Sequence, residues 1–216
     1  MLVIEILWAV FLLVCLICFF IVNLRNILVV RRSLAKAYAG IERPSGFAVG
    51  LAAFGTGIYF LEVLLYQALA FSGFAFLVQS FSFSFPYLFA LFMQALGAIS
   101  TFTGYFLFIW SVIARNKYAV SWEMPENHKL VTWGPYRYVR HPSYLGYFLM
   151  FFGLFIMWTN IFTFFPILAI PGYFRVSFAE EQLLLDRFGE TYMQYQKTTG
   201  RFIPKFKRHQ KEKATF

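Results

Sequence analysis

The chain has 216 residues, 60% of them hydrophobic and only 13% charged, with a formal net charge of +9. Soluble globular domains run about 45–50% apolar and about 25% charged, so this composition excludes an ordinary soluble domain and points to one integral membrane domain. The nineteen Lys and Arg fall in three blocks, at 25–43, 115–140 and 175–213, that alternate with apolar runs. That alternation follows the positive-inside rule. Contact with an anionic membrane face accounts for the basic charge and leaves no call for nucleic acid.

In chain order, the first apolar run is Leu2 to Val22. The start, MLVIE, has no basic leader and no small-residue cleavage site follows, so the run is expected to stay as a membrane helix. Cys15 and Cys18 lie inside it. With no second ligand pair, they are read as small buried hydrophobes. A basic loop with Arg25, Arg31, Arg32, Lys36 and Arg43 follows.

The second span runs from Gly46 to Ala70 and the third from Pro86 to Ile113, joined by an uncharged Ser/Phe loop at 71–85. Gly46, Gly50, Ala53 and Gly57 form one small-residue stripe, and Gly97, Ser100 or Thr101, and Gly104 another. Both are expected to be helix-packing faces. Glu5 and Glu62 sit toward the outer helix ends, as interfacial or functional carboxylates.

Two shorter runs, Ser143 to Trp158 and Ile161 to Phe174, flank a turn at Thr159-Asn160 and read as a helical hairpin, its second arm kinked by Pro166 and Pro171. Residues 178–197 read as an amphipathic surface helix, and 205–216 as a basic tail. The fold class is therefore all-α: a polytopic membrane protein with about five transmembrane helices, the last two a hairpin. Residues 1–113 form the three-helix membrane part. The basic loops and the tail place 23–45, 114–142 and everything after 175 on the cytoplasmic side.

The chemistry concentrates in HKLVTWGPYRYVRHPSYLG, residues 128–146. Pro135 favours a turn after Gly134, and Pro142 restrains His141 while opening the next helix. Metal hydrolysis needs three or four ligands at suitable spacing; His128, His141, His209, Glu123, Glu126, Glu180 and Glu181 show no such pattern. No nucleophile elbow is present. A rigid polar cap over a greasy hairpin suits a polar cofactor held beside a lipid-embedded acceptor.

HKLVTWGPYRYVRHPSYLG followed by EEQLLLDRFGETYMQY resembles the signature of the isoprenylcysteine carboxyl methyltransferase family, whose wider superfamily includes phospholipid N-methyltransferases. The resemblance covers residues 128 to about 204 within a catalytic region at 114–204. It implies S-adenosyl-L-methionine as cofactor, held by the loop and the C-terminal helices, and a lipid-borne acceptor entering from the bilayer. Carried over by position, it implies cofactor contacts from His128, Lys129, Leu130, Val131, Tyr136, His141, Pro142, Ser143, Tyr144 and Glu180. Arg175, Arg140 and Glu181 are the expected acceptor-orienting and catalytic groups. The family places a substrate-binding Arg four residues before its glutamate; Val176 stands there, with Arg175 one residue away. A carboxylate acceptor of prenylcysteine type is the leading expectation and an amine head group the nearest alternative, beside a sterol reductase-like activity and a non-enzymatic scaffold.

Overall fold

The computed structural model describes residues 2–34, 46–80, 82–118 and 128–205. Lys36, Arg43, Glu123, Glu126 and the tail with His209 lie outside the described residues, as do the side chains of Arg31 and Arg32. The elements are α1 (Leu2–Leu34), α2 (Phe47–Phe71), α3 (Ala75–Ser80), α4 (Tyr87–Arg115), α5 (Pro142–Met157), α6 (Ala169–Phe188) and α7 (Glu190–Thr198), with 3-10 turns at Asn116–Tyr118, Gly134–Arg137 and Phe162–Leu168. Among the described residues there is no strand; the lone sheet-like feature is a bridge between Val139 and Gly200.

Four stretches are long and apolar enough to cross a membrane: Val3–Val30, Phe47–Phe71, Tyr87–Arg115 and Phe162–Phe188. The fifth expected span, α5, has 16 residues, about 24 Å at 1.5 Å per residue, short of a ~30 Å hydrocarbon core. Large apolar side chains such as Val14, Phe20, Leu61, Phe102 and Phe106 stay exposed on the outside of the bundle. In water such a surface would aggregate; against lipid it is at home. Inside, Leu12, Tyr59, Val63, Tyr105, Phe151 and Leu154 are fully buried in one core.

Several boundaries differ from the sequence reading. α1 continues past Val22 to Leu34. The connection at 71–85 contains the short helix α3. No amphipathic helix begins at 178: α6 runs unbroken from Ala169 to Phe188. It stops where Gly189 takes a left-handed φ of 50°, a conformation glycine adopts without the Cβ penalty, and α7 starts there. Pro171 falls in the first turn of α6, where no intrahelical N–H bond is lost. Cys18 is exposed on the outer face, while Cys15 is buried.

The two arms of the expected hairpin divide their packing. α5 lies along α4, and α6 lies along α2. Tight backbone approach explains both pairings. A Cβ on Gly97 would sit 2.6 Å from the Gly153 carbonyl, and one on Gly104 would sit 2.6 Å from the Gly146 carbonyl. The second expected stripe is therefore an interface. The first is not: Gly50 and Gly57 have open space where a Cβ would go, and Ala53 is exposed. α2 instead packs through the neighbouring face, where Gly55 meets Ala169 and Gly172 meets Ala48 and Ala52. Periodicity identifies a stripe of small residues but not which of two adjacent faces finds a partner.

Gly153→Ala puts a methyl 2.6 Å from the Thr101 amide nitrogen and should cost about 1–3 kcal/mol by overpacking. Gly57→Ala, with nothing within 4 Å, should leave stability unchanged. Paired thermal unfolding in detergent checks this; equal midpoints would show that close α4–α5 approach is not required.

Candidate active site

Pro142 is the first residue of α5, which places His141 at the helix mouth. Gly134, at φ 61°, turns the chain into the 3-10 segment ahead of it. The loop is then stitched to the C-terminal segment. The Arg140 amide donates to the Gly200 carbonyl at 2.8 Å, and the His141 amide donates to the Arg201 carbonyl at 3.0 Å. The Tyr195 hydroxyl donates to the Tyr136 carbonyl at 2.6 Å. Loop, α6, α7 and residues 199–203 thus close on one another at one end of the bundle.

Glu181 is the centre of that closure. Its carboxylate, 4% exposed, accepts from Arg140 Nε at 2.9 Å and Arg201 Nη2 at 2.7 Å. It also meets His141 Nε2 at 3.0 Å and Gln196 Nε2 at 3.2 Å. Arg140 donates further to the Thr199 carbonyl, and the Arg201 guanidinium lies 3.6 Å over the Phe178 ring. The sequence reading set Arg140 and Glu181 in acceptor chemistry; the structure pairs them with each other in a buried ion cluster.

Glu180, one residue earlier, faces the other way. It accepts from the Tyr144 hydroxyl at 2.7 Å and lies 3.5 Å from His141 Nδ1. His141 stacks on Tyr144 with ring centroids 5.5 Å apart. Burial disfavours charge on this imidazole, but hydrogen bonds and attraction from Glu180 and Glu181 outweigh it and raise the pKa above the ordinary 6.5.

These side chains border one cleft. It is narrow, about 60 Å³ in volume, and open at its mouth. The loop contributes His128, Leu130, Val131, Tyr136, Arg140, His141, Ser143 and Tyr144, and α6 contributes Glu180. Nine of the thirteen residues singled out from sequence thus line it. Lys129 is exposed and Pro142 is buried in the first turn of α5, neither on the wall. Glu181 stands behind the wall, tied to Arg140 and His141. Arg175 is exposed on α6, away from the cleft lining.

The sequence reading omitted Arg115, Tyr118, Leu184, Tyr192 and Tyr195, which also line the cleft. Arg115 is the last residue of α4 and Tyr118 ends the 3-10 turn after it, Leu184 is on α6, and Tyr192 and Tyr195 stand on α7. Only folding brings them to the loop. Three buried polar atoms have no protein partner and border this same cleft: Arg115 Nε, His128 Nδ1 and the Tyr192 hydroxyl. Buried polar groups are nearly always satisfied, so this convergence fits a polar ligand. Burial and the nearby Arg187 charge lower the His128 pKa, keeping its ring neutral at pH 7. No group of three or more His, Cys, Asp or Glu suited to a metal occurs among the described residues.

A family model described as phospholipid methyltransferase matches residues 92–191. The match takes in most of α4, the loop, α5, α6 and the start of α7, the elements that enclose the cleft. Three curated relatives carry the name protein-S-isoprenylcysteine O-methyltransferase. The one from Tribolium castaneum is 39% identical over 93 residues, covering 39% of this chain and 31% of that protein. The Homo sapiens protein is 36% identical over 89 residues, covering 38% and 30%. That of Schizosaccharomyces pombe is 39% identical over 82 residues, covering 37% and 34%. Over that region the chain is similar to the isoprenylcysteine carboxyl methyltransferases. Its match spans about a third of the length of those relatives. The loop motif and the Glu-Glu helix both fall within residues 92–191, and together they border one cleft.

Two predictions follow from the ion cluster. Glu181→Ala leaves Arg140, His141 and Arg201 without their shared counter-charge, and should cost about 3–5 kcal/mol of stability, seen as a lower unfolding temperature in detergent. His141, with its raised pKa, contributes stability that is full below about 6.5, its ordinary value, and is lost as pH rises through the folded-state value. Subtracting the stability–pH curve of His141→Gln from that of the parent protein should show this loss; parallel curves would contradict it.

Proposed function

We propose that this chain is an S-adenosylmethionine-dependent methyltransferase acting at a membrane on the carboxylate of a lipid-borne, prenylcysteine-like acceptor. The observation that carries the reading is the convergence of three unpartnered buried polar atoms on a cleft built largely from the region that the family model matches. The basic blocks support a cytoplasmic position for this end of the bundle.

The cleft's own residues divide the work. His128, with Leu130 and Val131, supplies a mixed polar and apolar wall suited to a purine nucleoside. Glu180, held by Tyr144, offers a carboxylate to the cationic, amino-bearing portion of the cofactor. When bound, that cofactor supplies an electrophilic methyl on a sulfonium. Arg140 and Glu181 act as positioning residues that fix the loop against α6. Arg115, its Nε lacking a partner on the cleft wall, is the cation best placed to orient an acceptor carboxylate.

A carboxylate is ionised at neutral pH, so no base is needed. Holding acceptor and donor in line supplies up to ~7–11 kcal/mol of the barrier reduction in favourable cases. Apolar side chains around the cleft limit water, which favours a step in which opposite charges neutralise. An aromatic seam leads from the cleft into the bundle, with Tyr144 and Tyr173 centroids 4.7 Å apart and Tyr147 stacked on Tyr173 at 5.4 Å. It is a route of suitable polarity for a prenyl chain.

A second reading, N-methylation of a phospholipid amine, is favoured by the description of the matching family model and by Val176 at the position of the family's arginine. Incubation with methyl-labelled cofactor and a panel of acceptors separates the two. A base-labile product marks an ester, and a base-stable one marks an N-methyl group.

Titration with S-adenosylhomocysteine in detergent should show saturable binding. Tyr144→Phe and Glu180→Gln should each weaken it by about 10- to 100-fold, the equivalent of a charge-assisted hydrogen bond of ~1.5–3 kcal/mol, while the unfolding temperature holds. Unchanged affinity in both variants would remove the cleft from the mechanism.

A further inference from the structure

A second cavity, of about 250 Å³, lies at the far end of the bundle. Its walls come from the start of α1 (Ile4, Glu5), the last turns of α3 (Val78), the start of α4 with the segment before it, and the end of α5 (Met157, Trp158). The cleft described above uses the opposite ends of α4 and α5, through Arg115 and His141. The two sites are therefore separated by the length of those helices and share no residue.

The far cavity is held in shape. The Trp158 indole donates to the Val78 carbonyl at 2.9 Å, and the Phe83 amide donates to the Thr159 carbonyl at 2.7 Å. The Trp8 indole donates to Gln94 Oε1 at 3.1 Å, fixing that side chain on the cavity wall. Glu5 is 2% exposed, although it stands one turn into a membrane-crossing helix. Its Oε2 accepts from the Tyr66 hydroxyl, and the Tyr66 ring stands edge-on to Trp158 at 5.2 Å.

The composition of the walls selects a ligand class. Among the described residues, Glu5 is the one acidic group lining the cavity, and no Lys or Arg lines it. Trp158, Phe83, Phe85 and Tyr87 supply aromatic surface. A carboxylate beside aromatic rings attracts an organic cation through charge and through the ring quadrupoles, and a desolvated site strengthens both. At the rim, Phe83, Phe85, Tyr87 and the adjacent Leu88 are exposed, an apolar lip suited to an alkyl chain. Ionisable groups inside membrane segments are expensive to keep and mark functional sites.

We propose that this cavity is a binding site for the ammonium head of an amphiphile, with Glu5 as counter-ion, the aromatic side chains around the cation and the alkyl chain passing over the rim. It is distinct from the methyl-transfer cleft and does not depend on the function proposed for that cleft.

The test uses the full chain in a neutral maltoside detergent and a photoreactive alkyltrimethylammonium probe, compared with a glucoside of the same chain. Mass spectrometry of the labelled peptides should place the cationic probe in residues 82–94 and at 157–158, several-fold above the neutral probe. Glu5→Gln should reduce it to the neutral level. Ala90→Trp, which fills the cavity and keeps the carboxylate, should do the same, and decides the matter where Glu5→Gln does not fold. Glu180→Gln should leave the labelling intact. Equal labelling by both probes, insensitivity to the two cavity variants, or loss with Glu180→Gln would each overturn the proposal. Competition by free tetramethylammonium as effective as by the unlabelled long-chain cation would overturn the amphiphile assignment.

Discussion

The buried Glu181 carboxylate ties its own helix, α6, to two other pieces of chain at one end of the bundle. Arg140 and His141 arrive together where the loop meets α5, and Arg201 arrives from the strap after α7. Each of these groups would be costly to bury alone, and each is compensated by the same two oxygens. The backbone bonds from Arg140 and His141 to the strap reinforce that arrangement. Phe202, packed against Phe148 and Phe174, anchors the strap in apolar surroundings. The cap holds its shape through charge and backbone pairing beside a small apolar cluster, in which Leu130, Phe188 and Tyr195 pack against Leu184 and Tyr192.

Orientation along α6 then gives two neighbouring carboxylates different surroundings. Adjacent residues on a helix point about 100° apart. Glu181 turns toward the ion cluster, while Glu180 turns toward Tyr144 and the cleft. Two side chains of identical chemistry thus acquire different partners from geometry alone. The same rotation leaves Arg175 exposed on α6, while the arginines on the cleft wall are Arg115, from the end of α4, and Arg140, from the loop.

Packing between helices makes the cleft possible. α5 is held close to α4 by paired glycines, and α6 close to α2 by Gly55 and Gly172. The two arms are then drawn apart, so that they meet through large rings, Tyr144 and Phe148 from one and Tyr173 and Phe174 from the other. A tighter hairpin would bury these rings against backbone. The short length of α5 belongs to the same design: its mouth at His141 sits where the loop, α6 and α7 can reach it.

Sequence by itself determined the membrane class and the all-helical fold, while the motif residues that line the cleft came from a family resemblance. Class and fold depend on local signals: apolar run length, charge blocks, and proline and glycine at turns. Chain order also marked the loop and the Glu-Glu helix as partners through a family resemblance. Only the tertiary structure decided which small-residue face of α2 is an interface, that α6 continues through 178, and that Arg115, Tyr192 and Tyr195 join the wall. It alone showed that Glu5 lines a second cavity. These facts depend on contacts between residues far apart in the chain, and on helix rotations that a one-residue shift changes by about 100°, a difference that no local pattern records.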